Sequence, residues 1–139
     1  MISNIQRIWI YSLSLIIIVI ILGLNLNIGA KARVHDSRLL QQVRSFSYAA
    51  ERFRQEHLRY PVGNFDLRND VLLSDKGFAT GDTIYYRGAM RSGRPVVYHG
   101  KDDSYTISFT LRQTWPAQGL YRKQCQVSEF FTLTCGERE

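Results

Sequence analysis

A run of uncharged residues near the N-terminus constrains this chain more than any other feature. Ile8–Ala30 reads IWIYSLSLIIIVIILGLNLNIGA and carries no charged side chain. As a helix its 23 residues extend roughly 35 Å, which exceeds the roughly 30 Å hydrocarbon core of a bilayer. The run, with aromatic residues close to its start, predicts an N-terminal transmembrane anchor over residues 1–30. The residues expected to form the anchor include Ile8, Trp9, Leu15, Ile18, Ile21 and Leu24.

The sequence leaves two questions about this run open: whether it is cleaved as a signal peptide, and on which side of the membrane the following domain lies. Ala30-Lys31-Ala32 has the A-x-A form of a signal-peptidase site, although the run is longer than the hydrophobic region of a signal peptide, which is usually about 7–15 residues. The charges disagree with export, because more basic residues follow the run than precede it, a pattern that keeps the following domain in the cytoplasm. We expect a retained single-pass anchor in the cell membrane and an extracytoplasmic C-terminal domain, on the grounds of the cysteine pair and the β-rich C-terminal part.

An amphipathic segment, residues 31–60, continues the anchor. Its apolar residues recur at intervals of three and four, while arginines such as Arg38 and Arg52 occupy much of the other face. No Pro or Gly lies between Ala30 and Tyr60, and Pro61 disfavours helical geometry at the residue before it. The spacing therefore predicts one continuous helix. Its core-facing residues are expected to be Leu40, Val43, Phe46, Ala50 and Phe53.

The formal net charge of +6 lies mostly on the amphipathic segment. Residues 31–59 hold seven Lys or Arg against three Asp or Glu, whereas residues 60–139 hold ten against nine. Beside a membrane, a basic segment of this kind favours anionic lipid headgroups as its partner. No nucleic-acid recognition motif accompanies the charge, so we expect no nucleic-acid binding.

Residues 61–139 are expected to form a small antiparallel β-sheet domain that packs on the helix, because about 80 residues build only a small core of their own. The clearest strand is Ser104–Arg112, in which apolar and polar residues alternate. Val71–Leu73 fits either a helical turn or a short strand. The chain is thus predicted to be α+β, with a long N-terminal helix packed on a small antiparallel β-sheet. The other expected strands are Thr83–Arg87, Pro95–His99 and Phe130–Cys135, and the sheet residues expected to face the helix are Tyr105, Ile107, Phe109 and Leu111.

Cys125 and Cys135 are the two cysteines of the chain. In an exported domain their close spacing predicts a disulfide that closes a short C-terminal loop, which contributes roughly 3 kcal/mol in the chain-entropy model. Two buried free thiols are the alternative. The spacing is not that of a CxxC redox pair, and no second Cys/His cluster completes a metal site.

The order of these elements resembles that of type IV pilins and of the pseudopilins of type II secretion. The local similarity is greatest in SYAAERFRQEHLRYPVG, residues 47–63, where an amphipathic helix ends in a Tyr-Pro pair, and in DDSYTISFTL, residues 102–111, where a strand follows a polar hairpin. The resemblance implies a pilin-like fold and partners among other pilin-like or secretion-assembly subunits. It carries over neither a prepilin leader nor an acidic subunit-pairing residue, because no Gly precedes Gly23 and no Glu precedes Glu51. It carries over no calcium site either, because residues 113–128 contain no Asp or Glu.

No arrangement of residues predicts catalysis, a cofactor or a metal site. Among His35, His57 and His99, His57 lies on or beside the apolar helix face and is expected to be a packed histidine, since no nucleophile motif accompanies it. Asp102 and Asp103 lie in an expected hairpin turn, where local hydrogen bonding favours Asp. We therefore expect no enzyme activity.

Two loops leave a choice between an ordinary surface and a binding role. Arg87, Arg91 and Arg94 surround a Gly-containing loop, for which solvation is favoured over anion binding. Trp115 is expected in the core, with contact to a partner as the alternative.

These observations predict a membrane-anchored, pilin-like or pseudopilin-like structural subunit in an envelope assembly, a surface filament or a secretion system. Its partners would be membrane lipid and other subunits. The alternative is an extracytoplasmic binding module that is tethered to the membrane and does not polymerise.

Overall fold

The computed structural model describes residues 4–120 and 123–136, without the side chains of residues 4–8, 10, 11, 24–28 and 118. The side chains of Ile8 and Leu24, both expected in the anchor, thus lie outside the described residues. The chain divides into two compact units, Met1–Val34 and His35–Glu139.

One long helix, α1, extends over Asn4–His57 and contributes to both units. Its second half contains neither Pro nor Gly, the two residues that most disfavour a helix interior. The helix ends where Leu58 adopts a left-handed backbone conformation, a common helix ending in which glycine is the residue usually found.

In the first unit, α1 exposes its apolar side chains. Trp9, Leu15, Ile18 and Ile21, all expected in the anchor, have between 52% and 72% of their surface exposed. Among the described residues, no helix combines the length and the apolar character needed to cross a membrane.

Seven short strands follow α1 among the described residues of the second unit. They are β1 (Gly63–Asp66), β2 (Val71–Ser74), β3 (Ile84–Gly88), β4 (Val97–Gly100), β5 (Tyr105–Thr110), β6 (Gln124–Ser128) and β7 (Thr132–Cys135). Five form an antiparallel sheet in the order β1-β4-β5-β6-β7, so β5 is its central strand. β2 and β3 form a separate antiparallel pair. The predicted α+β class and antiparallel sheet are confirmed.

The core of the second unit joins α1 to β5. Val43, Phe46 and Ala50 of α1 are buried, and Leu40 beside them is partly buried. They share one cluster with the inward-facing residues on and after β5, which are Tyr105, Ile107, Phe109 and Leu111. Burial alternates along β5, as its sequence pattern requires when one sheet face is covered.

The two-stranded sheet covers a second, smaller cluster. Phe53 is buried there with Ala49 and Leu73, not against β5. Its ring lies 6.0 Å from that of Tyr85 on β3, measured between centroids. β3 thus packs near the end of α1 and pairs with β2. The sequence pattern alone predicted that β3 belongs to the same sheet as the later strands.

Cys125 and Cys135 form a disulfide, so the predicted pairing is confirmed. The two residues face each other on β6 and β7, so the bond links neighbouring strands and not a strand and a loop. β6 lies in a stretch for which no strand was predicted, and the same holds for β1.

Candidate functional site

A groove of about 560 Å³ lies on the second unit beside the C-terminal half of α1. Its other wall is a short 3-10 turn, Glu129–Phe131, which connects β6 to β7. We call it the aromatic groove. It is lined by Ser47, Tyr48, Glu51, Arg54, Gln55, Leu58, Phe130 and Phe131.

Large apolar side chains are exposed at this groove. Tyr48 is 65% exposed, Leu58 91% and Phe130 76%. Elsewhere in the described part of the second unit, Val62 and Ile84 are the other large apolar residues exposed to a similar degree. Three of the five therefore converge on one surface, which is the pattern of an interaction site and not of scattered exposure.

The backbone at the groove is strained. Leu58, Phe130 and Phe131 have φ angles of 58°, 54° and 60°, and they are the only described residues other than glycine with positive φ. In this left-handed region a side chain with a Cβ costs about 1–2 kcal/mol. Such conformations persist where the surroundings enforce them, and they concentrate at functional sites.

Glu51 holds the strained turn against α1. Its Oε1 accepts the backbone N–H of Phe130 at 2.9 Å and the O–H of Tyr60 at 3.0 Å. The guanidinium of Arg54 lies over the rings of Phe130 and Tyr60, at 5.3 and 5.1 Å from their centroids. One carboxylate and one guanidinium therefore connect the helix to the turn.

Stacked rings form the other end of the groove. The rings of Tyr48 and Phe131 are nearly parallel, with centroids 6.3 Å apart. The guanidinium of Arg44 lies 4.8 Å from the centroid of Phe131. The aromatic groove thus offers flat apolar surfaces beside fixed charges, a combination suited to binding a protein segment.

Replacing Leu58 with glycine is expected to raise the free energy of unfolding by about 0.5–1 kcal/mol, because relief of the left-handed strain exceeds the added entropy of the unfolded chain. Thermal or urea unfolding measures the change. Val62→Gly is the matched control, since Val62 is also exposed but has no positive φ. The control is expected to lose about 0.5–1 kcal/mol. Destabilisation by Leu58→Gly would contradict the strain.

The phenol of Tyr60 has a raised pKa. Burial, together with its hydrogen bond to the Glu51 carboxylate, raises the pKa of Tyr60 to about 12. Burial likewise raises the pKa of Tyr98 and of Tyr105. All three hydroxyls lie near the junction of α1 and the five-stranded sheet, and Tyr98 donates to the Pro61 carbonyl at 2.6 Å.

The free energy of unfolding is therefore expected to fall at alkaline pH. Below pH 10.0, the ordinary tyrosine pKa, both states keep the proton and stability is complete. Between that value and about 12, the unfolded chain releases a proton that the folded chain retains, which costs on the order of 2 kcal/mol. Tyr60→Phe should reduce this loss, whereas Tyr48→Phe, which removes an exposed hydroxyl, should leave it unchanged. Equal alkaline loss in both variants would contradict the assignment.

The predicted histidine and aspartate features are packing and turn elements in the structure. His57 stacks on Phe53 with centroids 4.2 Å apart, and its Nδ1 lies 3.0 Å from the Phe53 carbonyl oxygen. Asp102 lies in the turn between β4 and β5, where its carbonyl accepts the Tyr60 N–H at 2.8 Å. The described residues contain no group of three or more His, Cys, Asp or Glu that could hold a metal.

A buried carboxylate, Asp36, was not singled out by the sequence. It is fully buried and accepts the backbone N–H of Arg112 at 2.9 Å and of Gln113 at 2.9 Å. Trp115 is partly buried against the core, with its indole nitrogen 3.5 Å from Asp36. In the sequence, the only indication of a buried carboxylate here is a single Asp among basic residues.

Comparison with protein-family models, with curated proteins and with solved structures returns no match for this chain.

Proposed function

We propose that this protein is a membrane-anchored structural subunit of pilin-like or pseudopilin-like design, which makes protein–protein contacts in an envelope assembly, a surface filament or a secretion system. The observation that carries the proposal is the aromatic groove, with its exposed Tyr48, Leu58 and Phe130. Tyr and Arg are enriched among the residues that dominate binding energy at protein interfaces, and both line this groove.

The apolar N-terminal run supports the anchoring. Consecutive residues from Leu15 to Leu22 are each about half exposed or more, so apolar surface points to every side of the helix. A helix that is apolar all round belongs in a lipid or protein environment. The uncharged sequence of 23 residues extends beyond the side chains that the structure describes, and over its full length it is long enough for the lipid environment.

The arrangement of the second unit supports the pilin-like design. The amphipathic half of α1 buries one face on an antiparallel sheet, and a disulfide joins the last two described strands, β6 and β7. The disulfide also supports an extracytoplasmic location, because such bonds persist in oxidising compartments.

Site-specific photo-crosslinking tests the contact surface. A benzophenone amino acid at position 130 in the full chain, irradiated in intact cells, is expected to give protein adducts. The same group at Ile84, which is also exposed but lies on β3, is the matched control and should give none above background. Equal yields at the two positions, or none at either, would overturn the proposed role of the groove.

A membrane-tethered binding module that does not polymerise is the second candidate. The positions of the acidic residues favour it, because the first Asp or Glu in the sequence is Asp36, which follows the apolar run. The run therefore lacks a carboxylate that could pair with a neighbouring subunit within the membrane. On this reading the crosslinker at position 130 captures one different protein and no second copy of the chain.

A further inference from the structure

A group of exposed arginines lies on the second unit at the start of its helical segment. Arg91 and Arg94 belong to the loop between β3 and β4, and Arg112 follows β5. Arg38 lies on α1. We call these four residues the arginine surface.

Hydrogen bonds bring the loop, the strand end and α1 together. The Arg91 N–H donates to the side-chain oxygen of Gln42 at 3.2 Å, and Gln42 lies one helical turn after Arg38. The Arg112 N–H donates to Asp36, also on α1. The loop therefore lies against the same part of the helix as the end of β5.

The guanidinium group of Arg94 faces the end of β5. Arg94 Nη1 donates to the Leu111 carbonyl at 3.5 Å. A methyl group at Gly93 would lie 3.9 Å from Arg112 Nη2. Buried Met90 fixes the start of the loop, since its N–H donates to the Leu67 carbonyl at 2.7 Å.

Among the described residues, no carboxylate forms an ion pair with the guanidinium groups of this surface. Arg52, Arg54, Arg59 and Arg68 each have an ion pair elsewhere in the described chain, whereas none is present at the arginine surface. Residues 83–101 and 104–128 contain no Asp or Glu. The carboxylate of Asp36 is buried and already accepts two backbone N–H groups.

We propose that the arginine surface binds the phosphate groups of anionic phospholipids. The inference rests on the proposed function, in which Ile8–Ala30 lies in a bilayer, since Asp36 follows Ala30 by only six residues. Guanidinium groups bind phosphate oxygens through paired N–H donors. Headgroup contact would add to the membrane affinity that the anchor supplies.

The test uses the full chain in nanodiscs of phosphatidylcholine alone or with a rising fraction of phosphatidylglycerol. Hydrogen–deuterium exchange is followed in residues 89–94 and 112–114. Exchange in both segments is expected to slow as phosphatidylglycerol is added and to recover at high salt. Each of Arg91→Gln, Arg94→Gln and Arg112→Gln should raise the phosphatidylglycerol fraction for half-maximal protection about fivefold. The triple variant should lose the protection.

The matched control is the triple variant Arg59→Gln, Lys76→Gln, Lys101→Gln, which makes the same charge change at exposed positions outside this surface. It should retain the protection. Protection that does not depend on phosphatidylglycerol, or that both triple variants lose equally, would overturn the inference while leaving the anchoring intact.

Failure of the anchoring has a different result. A chain that separates from phosphatidylcholine discs, yet stays with phosphatidylglycerol discs through these arginines, would overturn the anchoring and support the arginine surface. A chain that separates from both discs would overturn both.

Discussion

Replacing Phe46 with alanine is expected to lower the free energy of unfolding by about 3–5 kcal/mol. Phe46 is fully buried on α1, and its ring contacts both sheets. The ring centroid lies 5.0 Å from that of Tyr86 on β3 and 5.2 Å from that of Tyr98 on β4. Truncation would leave a cavity where the helix, the five-stranded sheet and the two-stranded sheet meet.

Urea unfolding of the full chain in a neutral detergent, followed by circular dichroism, measures this effect. Gln41→Ala is the control, because Gln41 lies on the exposed face of the same helix. Its change should stay within about 0.5 kcal/mol. A Phe46→Ala variant as stable as the control would show that α1 does not form the core with the sheets.

The second large effect is expected at Asp36. Asp36→Ala should lower the free energy of unfolding by about 2–5 kcal/mol, because it removes a buried carboxylate that accepts the N–H groups of both Arg112 and Gln113. Asp36→Asn keeps one side-chain oxygen and should lose less.

Asp82→Ala provides the control for Asp36, since Asp82 is exposed. Its effect should lie within about 0.5 kcal/mol. Hydrogen exchange at Arg112 and Gln113 offers an independent measurement, in which both amides should exchange faster in Asp36→Ala alone. Unchanged exchange together with unchanged stability would contradict the role of this carboxylate.

The sequence predicts best those elements whose pattern and environment agree. In α1 the spacing of Val43, Phe46 and Ala50 matches the helical period, and one continuous sheet face covers them. In β5 strict alternation matches a strand with one buried face. In both elements local periodicity is the direct consequence of the packing.

The two missed strands owe their structure to their partners. β1 has the sequence GNFD, whose Gly, Asn and Asp favour turns, yet it pairs with β4 along its whole length. β6 has the sequence QCQVS, with buried Cys125 and Val127 between polar residues. An alternation over only five residues, next to a Gly-containing loop, is a weak signal for a strand. Neighbouring strands determine these elements more than their own residues do.

The aromatic groove was inaccessible to sequence reasoning for a different reason. Phe130 and Phe131 have a strong strand propensity, and the sequence placed both in the last strand. In the structure they form a left-handed turn before β7, stabilised by Glu51, which precedes Phe130 by 79 residues. A contact between such distant residues leaves no periodic signal in a single sequence.

The most direct test of a structural subunit is crosslinking along the apolar helix in intact membranes. A benzophenone amino acid at Val19, an exposed residue of the run, would report which chains lie beside it. We expect a ladder of dimers, trimers and larger adducts of this chain, or adducts with other pilin-like subunits. A chain that remains monomeric after irradiation, with adducts to lipid alone, would contradict it.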